Sequence, residues 1–391
     1  MAAVLLTAAC ALAACSSGSP APTSGASSAG TSPAPGQSSN AASSAAAPSP
    51  SGSASAKLSA LQQAGQRVIY SYSGLTPPAS LLKLIREGEV AGVIFFGQNI
   101  KSTSQLAGAV KQLEDAAAQS PVHLPLLLMT DQEGGEIRRI QGGAPTQTER
   151  QIGESANPAS AAAQAGTGAA GTLKSAGLNM NLAPVLDVFS SPGDFDDQFG
   201  RSYSSDPNVV SAAGAAFIKA QQGAGVAATA KHFPGLGTAP AKADTDFEPV
   251  TLTASLSRLR SVDEEPYKAA IAAGVDLVMV SWAVYPALSS RPAGLSSVVV
   301  QQELRDRLGF TGVTVTDALE AGALKSFGGP GPRAVDAAAA GMDLILCSSQ
   351  DPNQGEQATQ ALAAALNDGT LSSSGFNAAV GRVDSLRQKL G

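Results

Sequence analysis

The sequence predicts an α/β fold, a closed (β/α)8 barrel of the TIM type preceded by a disordered N-terminal segment. The first observation is that short apolar runs alternate with longer amphipathic or alanine-rich stretches from Lys57 onward. The second is that these runs number eight, which is the number of strands that closes such a barrel. The third is that runs such as GVIFF and DLVMV are apolar almost throughout, as strands covered on both faces are.

The N-terminal stretch has the composition of a targeting signal. Residues 1–15 are apolar but shorter than the roughly 20 residues that a membrane-spanning helix needs, so they predict a signal peptide. The tetrapeptide LAAC that ends at Cys15 resembles a bacterial lipobox, which predicts lipidation of Cys15, a membrane anchor and a location in the cell envelope. An apolar leader with an incidental cysteine is the alternative. Residues 16–56 contain almost only Ser, Ala, Gly, Pro and Thr and predict a flexible, disordered linker.

The strands of the folded part, residues 57–391, are predicted from runs rich in Val, Ile, Leu and aromatic residues that end at Gly or polar positions. Helices are predicted between them from amphipathic or alanine-rich stretches. The predicted strands are Arg67–Tyr72, Gly92–Phe96, Leu124–Met129, Leu178–Leu186, Val226–Ala230, Asp276–Ser281, Gly312–Thr316 and Asp343–Cys347. The predicted helices lie near 79–88, 103–119, 157–176, 207–223, 263–273, 298–308, 333–340, 353–366 and 373–390.

The composition argues against several classes of function. A net charge of −6 gives no basic surface for nucleic acid. The three cysteines and two histidines lack the spacing of zinc ligands and cannot build a disulfide framework, so no metal is predicted. The only GxGxxG match, 166–171, follows a helical stretch rather than a strand, which argues against a dinucleotide cofactor.

Polar side chains cluster directly after the predicted strands. Because the carboxyl ends of parallel barrel strands meet at one mouth, this placement predicts an active site there. The residues concerned are Asp131, Gln132 and Glu133 after the third strand, Asp187 after the fourth with Arg201 further along the same loop, Lys231 and His232 after the fifth, Ser281 and Trp282 after the sixth, and Asp317 after the seventh.

Two of these positions offer carboxylates suited to glycoside hydrolysis, which uses one carboxylate as nucleophile or base and a second group as proton donor. They are Asp317 and the pair Asp131 and Glu133. A helix N-cap is an equal alternative for Asp317. Four basic residues could donate to sugar hydroxyls or to a carboxylate, with solvated surface charge as their alternative: Arg138, Arg139, Arg201 and Lys231. Trp282 could stack on a sugar or simply pack in the barrel.

Seven motifs, in chain order and about one per strand end, together resemble the catalytic barrel of glycoside hydrolase family 3, in particular its single-domain bacterial β-N-acetylhexosaminidases. They are GVIFFGQN, DQEGGEIRR, NLAPVLDV, FGRSYSSDP, KHFPG, MVSWAVYPAL and GVTVTDAL, and they extend from about Gln66 to Leu346. The resemblance implies a retaining double displacement that needs neither metal nor cofactor. It also implies that Asp317 is the nucleophile, that Asp131 binds sugar hydroxyls, and that four basic residues line the same pocket: Arg139, Arg201, Lys231 and His232.

The sequence departs from that branch at the proton donor. The branch uses a His in an Asp-Ser-His triplet on the loop after KHFPGHG, and here the corresponding triplet is Asp244-Thr245-Asp246. A carboxylic acid can serve as donor if its pKa is raised by burial or by neighbouring carboxylates. We therefore predict that Asp246, or with less support Glu248, replaces the histidine.

The sequence thus predicts a retaining β-glycosidase of O-glycosyl bonds, similar to β-N-acetylhexosaminidases and acting on cell-wall or other envelope saccharides. The first alternative is a lipid-anchored sugar-binding protein that has lost catalysis, which the missing histidine favours. The second is a β-glycosidase with another sugar specificity. The third is a barrel enzyme that forms a Schiff base through Lys231.

Overall fold

The computed structural model describes residues 58–391, and it contains ten strands. The predicted signal segment with Cys15 and the predicted linker lie outside these residues. The strands are β1 Val68–Tyr70, β2 Gly92–Ile94, β3 Leu127–Thr130, β4 Gln132–Gly134, β5 Ile137–Arg138, β6 Met180–Asn181, β7 Ala227–Phe233, β8 Leu277–Val280, β9 Val313–Ala318 and β10 Leu344–Leu346.

Eight of these strands pair in parallel and close a barrel in the order β1-β10-β9-β8-β7-β6-β3-β2, which confirms the predicted fold class. The remaining two, β4 and β5, form an antiparallel hairpin directly after β3. The hairpin was not predicted, because its residues are too polar to read as a strand.

Helices surround the barrel and follow the strands. They are α1 Ala60–Gly65, α2 Ala79–Glu87, α3 Thr103–Ala117, α4 Glu149–Gly153, α5 Pro158–Ser175, α6 Pro207–Gly223, α7 Leu256–Arg258, α8 Glu265–Ala272, α9 Pro330–Ala340, α10 Pro352–Asn367 and α11 Ser373–Leu390. The stretch Val298–Arg307, predicted as an α-helix, is π-helical. The GxGxxG match lies inside α5, as predicted. Among residues 58–391, every helix is too short or too polar to cross a bilayer.

The apolar core has two layers, as a barrel requires. One layer lies between the strands and the helices. The other fills the barrel interior with buried side chains such as Met129, Met180 and Val315. Its upper members, which include Leu182 and Met279, form the floor of a cavity at the carboxyl ends of the strands.

Two strand ends differ from prediction in a way that matters for the site. The strand predicted to end at Ala230 continues as β7 to Phe233, so Lys231 and His232 are held by the barrel itself. The strand predicted to end at Thr316 continues as β9 to Ala318. Asp317 is therefore a strand residue, and its interpretation as a helix N-cap is wrong.

Candidate active site

A cavity of about 200 Å3 opens at the carboxyl ends of the barrel strands. All seven residues predicted to act on the substrate line it, although they come from six separate parts of the chain. They are Asp131, Arg139, Arg201, Lys231, His232, Asp246 and Asp317. Glu133 also lines the cavity, whereas Glu248, the second choice for proton donor, does not.

Lys231 is the cation at the centre of one wall. Its Nζ lies 2.8 Å from Asp131 Oδ1 and 2.7 Å from Glu133 Oε1, and only 3% of its side chain is exposed. Burial opposes the charged forms of all three groups, but their mutual attraction is stronger. It raises the pKa of Lys231 and, helped by Arg139, lowers the pKa of Asp131. The wall is therefore fully ionised at neutral pH.

Arg201 bridges Glu133 of this wall and a second buried carboxylate, Asp196. Its Nε donates to Glu133 Oε2 at 2.8 Å and one terminal nitrogen donates to Glu133 Oε1 at 3.0 Å, which is the bidentate geometry of strong Arg–carboxylate pairs. The other terminal nitrogen donates to Asp196 Oδ1 at 2.7 Å. Both carboxylate side chains are 2% exposed. Arg201 is thus the counterion of two buried acids.

His232 is oriented by the buried Asp187. The ring Nδ1 lies 2.8 Å from Asp187 Oδ2, while the backbone N–H of Leu236 donates to Asp187 Oδ1 at 2.6 Å. Burial lowers the pKa of His232 to about 4, so the ring is neutral at pH 7 and donates its Nδ1 proton to Asp187. Nε2 then carries no proton and can only accept.

Asp187, Asp196 and His232 bring ligand-type atoms within 4.8 Å of one another. Burial raises the pKa of both Asp187 and Asp196 to about 6. Arg201 opposes this rise for Asp196, whereas the nearby charge of Asp187 adds to it. Both carboxylates already have a partner, since Asp187 contacts the His232 ring and Asp196 is paired with Arg201.

Asp317 lies near the end of β9, and its direction is set by the strand. Its Oδ1 accepts the backbone N–H of Ala318 at 2.7 Å, and the residue lines the cavity. Trp282 is fully buried and donates its indole N–H to the carbonyl of Ala318 at 2.8 Å. Trp282 therefore packs in the barrel and braces the strand end that carries Asp317, rather than stacking on a ligand.

Asp246 reaches the cavity from the loop after β7. The residue as a whole is exposed, but it lines the cavity, where its carboxyl is partly removed from solvent. That burial, followed by the charges of Asp317 and Asp244, raises the pKa of Asp246 to about 7. Because such a carboxyl is half protonated near neutral pH, Asp246 can both donate and accept a proton.

Two buried acids close to the site have no role predicted from the sequence. Glu149 on α4 accepts the backbone N–H of Val185 at 3.0 Å, and burial raises its pKa well above the usual range. Asp196 lies in the loop after β6, where it bonds Arg201. Neither follows an apolar run, so the rule that located the other residues does not find them.

Comparison with known proteins places these observations in one family. The sequence matches the glycosyl hydrolase family 3 N-terminal domain over residues 56–386. It is 48% identical over 331 residues to a protein of Arthroderma benhamiae described as an uncharacterized secreted glycosyl hydrolase, covering 84% of this chain and 93% of that protein. It is 35% identical over 268 residues to a beta-hexosaminidase of Xanthomonas oryzae pv. oryzae, covering 67% of this chain and 77% of that protein.

Solved structures agree. The structure resembles a glycoside hydrolase family 3 beta-N-acetylglucosaminidase from Paenibacillus, with a TM-score of 0.80 and 36% identity. That likeness covers 85% of this chain, which spans 63% of the length of the Paenibacillus protein. A beta-N-acetylhexosaminidase from Beutenbergia cavernae gives a TM-score of 0.77 with 30% identity, covering 85% of this chain and 99% of that protein.

Proposed function

This chain belongs to glycosyl hydrolase family 3, and from that premise we propose that it is a retaining β-glycosidase in which Asp317 is the nucleophile and Asp246 the acid/base. The observation that carries the proposal is that both carboxyls line one cavity, where Asp317 contributes to raising the pKa of Asp246. One carboxylate to attack the sugar and a second carboxyl that can carry a proton are what glycoside hydrolysis requires.

The reaction follows from these roles. Asp317 attacks the anomeric carbon while Asp246 gives its proton to the glycosidic oxygen, so the bond to the leaving group breaks and a glycosyl ester forms on Asp317. Asp246, now a carboxylate, takes a proton from a water molecule. That water attacks the same carbon, releases Asp317 and restores both groups. Retention of configuration results from the two displacements.

The wall around these acids is suited to holding a sugar ring. Asp131, Lys231 and Arg139 present charged donors and acceptors to the cavity, and charge-assisted hydrogen bonds to hydroxyl groups are stronger than neutral ones. His232 adds an acceptor at Nε2. Because these groups are already held by one another, they need little reorganisation when a sugar binds.

Competing assignments of the chemistry are less consistent with the site. His232 is a poor acid because burial lowers its pKa to about 4 and its one ring proton is bound by Asp187. Lys231 is a poor Schiff-base nucleophile because its two carboxylate partners raise its pKa and keep it protonated. A sugar-binding protein without catalysis has no need of an acid in its site, yet the pKa of Asp246 is raised to about 7.

For the substrate we propose a β-N-acetylhexosaminide in saccharides of the cell envelope. The beta-hexosaminidases and beta-N-acetylglucosaminidases among the relatives support the sugar. The secreted relative from Arthroderma benhamiae supports an extracytoplasmic location. Lipidation at Cys15 would place the enzyme on the membrane beside such saccharides. A panel of 4-nitrophenyl β-glycosides tests the sugar specificity directly.

Asp246→Asn tests the proton donor. The variant is expected to lose roughly 10²- to 10⁴-fold in kcat/KM on a substrate with a poor leaving group, because the departing oxygen is no longer protonated. For a 2,4-dinitrophenyl glycoside, whose leaving group needs no proton, the loss of kcat/KM should be far smaller. Glu248→Gln is the matched control, since Glu248 lies on the same loop but does not line the cavity. An unchanged rate of Asp246→Asn with the poor leaving group removes Asp246 from the mechanism.

The pH profile gives a second test. A donor must be protonated in the free enzyme, and the pKa of Asp246 is raised to about 7. We therefore expect kcat/KM to be retained below this pKa and to fall as the pH rises through about 7. In Asp246→Asn, assayed with the 2,4-dinitrophenyl glycoside, this alkaline limb should disappear. If it persists unchanged, another group gives up the proton.

A further inference from the structure

We propose that Phe247 binds the leaving group of the substrate, that is, the second sugar or aryl ring on the far side of the scissile bond. This inference rests on the proposed function, since it takes Asp246 as the proton donor. Phe247 follows Asp246 directly, and it is 72% exposed. Nothing in the barrel packing requires a phenylalanine at this place.

The backbone of Phe247 is held firmly although its ring is free. Its N–H donates to the carbonyl of Asp244 at 3.2 Å, and its carbonyl accepts from Lys325 Nζ at 3.0 Å. A side chain at Gly322 would collide with that carbonyl, so the loop sits directly on the segment after β9. The backbone position from which the Phe247 ring extends is therefore fixed.

Neighbouring bonds fix the acid in the same way. The N–H of Gly322 donates to the carbonyl of Asp246 at 2.7 Å, and the N–H of Ala323 donates to the carbonyl of Thr245 at 3.0 Å. The acid and the ring therefore share one anchored loop. Phe247 does not itself line the cavity, whereas Asp246 beside it does.

The position of the donor determines what the ring meets. A proton donor must lie within hydrogen-bond reach of the glycosidic oxygen. That oxygen joins the cleaved sugar, which fills the cavity, to the leaving group, which extends outward. Our assignment places the exposed ring of Phe247, on the residue next to the donor, against this leaving group outside the cavity.

The chemistry of the ring suits that occupant. An exposed phenyl group gains by covering an apolar surface, and the C–H face of a β-linked sugar or an aryl ring provides one. The occupant that we assign is therefore a ring with an apolar face, not a charged group. Lys325 does not contradict this, because its Nζ is engaged with the carbonyl of Phe247.

The test compares three β-glycosides of the same sugar on the intact protein: the glycosyl fluoride, the 4-nitrophenyl glycoside and the β-linked disaccharide. The leaving group of the glycosyl fluoride is a single atom, so it offers no ring for Phe247 to contact. In Phe247→Ala we expect kcat/KM to fall roughly tenfold for the two ring-bearing substrates and to stay within about twofold for the fluoride. Phe247→Tyr, which keeps an aromatic ring, should have a kcat/KM close to that of the parent protein on all three substrates. Leu256→Ala is the control, because Leu256 is an exposed hydrophobic residue that does not line the cavity.

The outcomes separate the two levels of the proposal. Equal losses on all three substrates would show that Phe247 acts on loop position and would overturn the assignment. No loss on any substrate, with an active parent protein, would overturn it as well while leaving the glycosidase mechanism intact. A parent protein that cleaves none of the three would overturn the proposed function and the assignment together.

Discussion

Asp317→Ala is expected to lose roughly 10⁴-fold or more in kcat/KM on 4-nitrophenyl glycosides. The strand end that carries Asp317 is braced by β9 and by Trp282, so the alanine variant should keep its fold and lose only the attacking oxygen. Added azide should restore turnover of this variant and yield a glycosyl azide of inverted configuration, because the vacated position admits a small nucleophile. Steady-state rates and the anomeric form of the product measure both effects.

Covalent trapping provides the independent measurement. A 2-fluoro glycoside should leave a stable glycosyl ester on the peptide that contains Asp317, detected by mass spectrometry. Asp306→Ala serves as control, since Asp306 is exposed and does not line the cavity. A label on Asp131, or full activity in Asp317→Ala, would contradict the assignment of the nucleophile. Saccharide binding with no label would favour the sugar-binding alternative.

Arg201→Met is expected to reduce the free energy of unfolding by roughly 3–5 kcal/mol. The substitution keeps an unbranched apolar side chain but removes the guanidinium, so Asp196, whose side chain is 2% exposed, loses its cation, whereas Glu133 keeps Lys231. An unpaired charge in a buried position is far more costly than the pair that it came from. Urea unfolding followed by circular dichroism measures the change.

Arg291→Met is the matched control for this experiment. Arg291 and Asp336 also form an ion pair, at 2.7 Å, but their side chains are 48% and 43% exposed. Such surface pairs contribute at most about 1 kcal/mol, so the control should change little. Adding Asp196→Asn to Arg201→Met should recover part of the loss, because the carboxylate that has lost its cation is then removed. If both substitutions lower the free energy of unfolding by the same amount, the buried ion pairs of Arg201 stabilise the fold no more than a surface pair does.

The barrel could be predicted because its signal is carried by composition. Strands covered on both faces must be apolar, and the eight runs stand out from the helices between them. Strand ends could not be placed, because pairing continues past the apolar residues in β7 and β9, whereas the predicted strand Leu178–Leu186 pairs as a strand only at Met180–Asn181. Residues 231–233 and Asp317 belong to strands for that reason.

Much of the candidate site was also predictable, since residues that follow parallel strands must meet at one mouth. Lys231, His232 and Asp131 were located in this way, and the cavity brings them together. Glu149 and Asp196 were missed because they come from a short helix and an irregular loop. Glu149 meets Val185 only in the tertiary structure, whereas Asp196 lies on the same loop as Arg201 but follows no apolar run. Likewise, burial of Trp282 depends on neighbours that are distant in sequence.

The anchoring of residues 244–248 on residues 322–325 has a consequence for protein engineering. The loop and its seat come from different places in the chain but form one module, with Gly322 as the point where they fit together. Grafting a loop with a different proton donor into this scaffold would separate that loop from the segment on which it packs. A successful chimaera therefore has to transplant both segments at once.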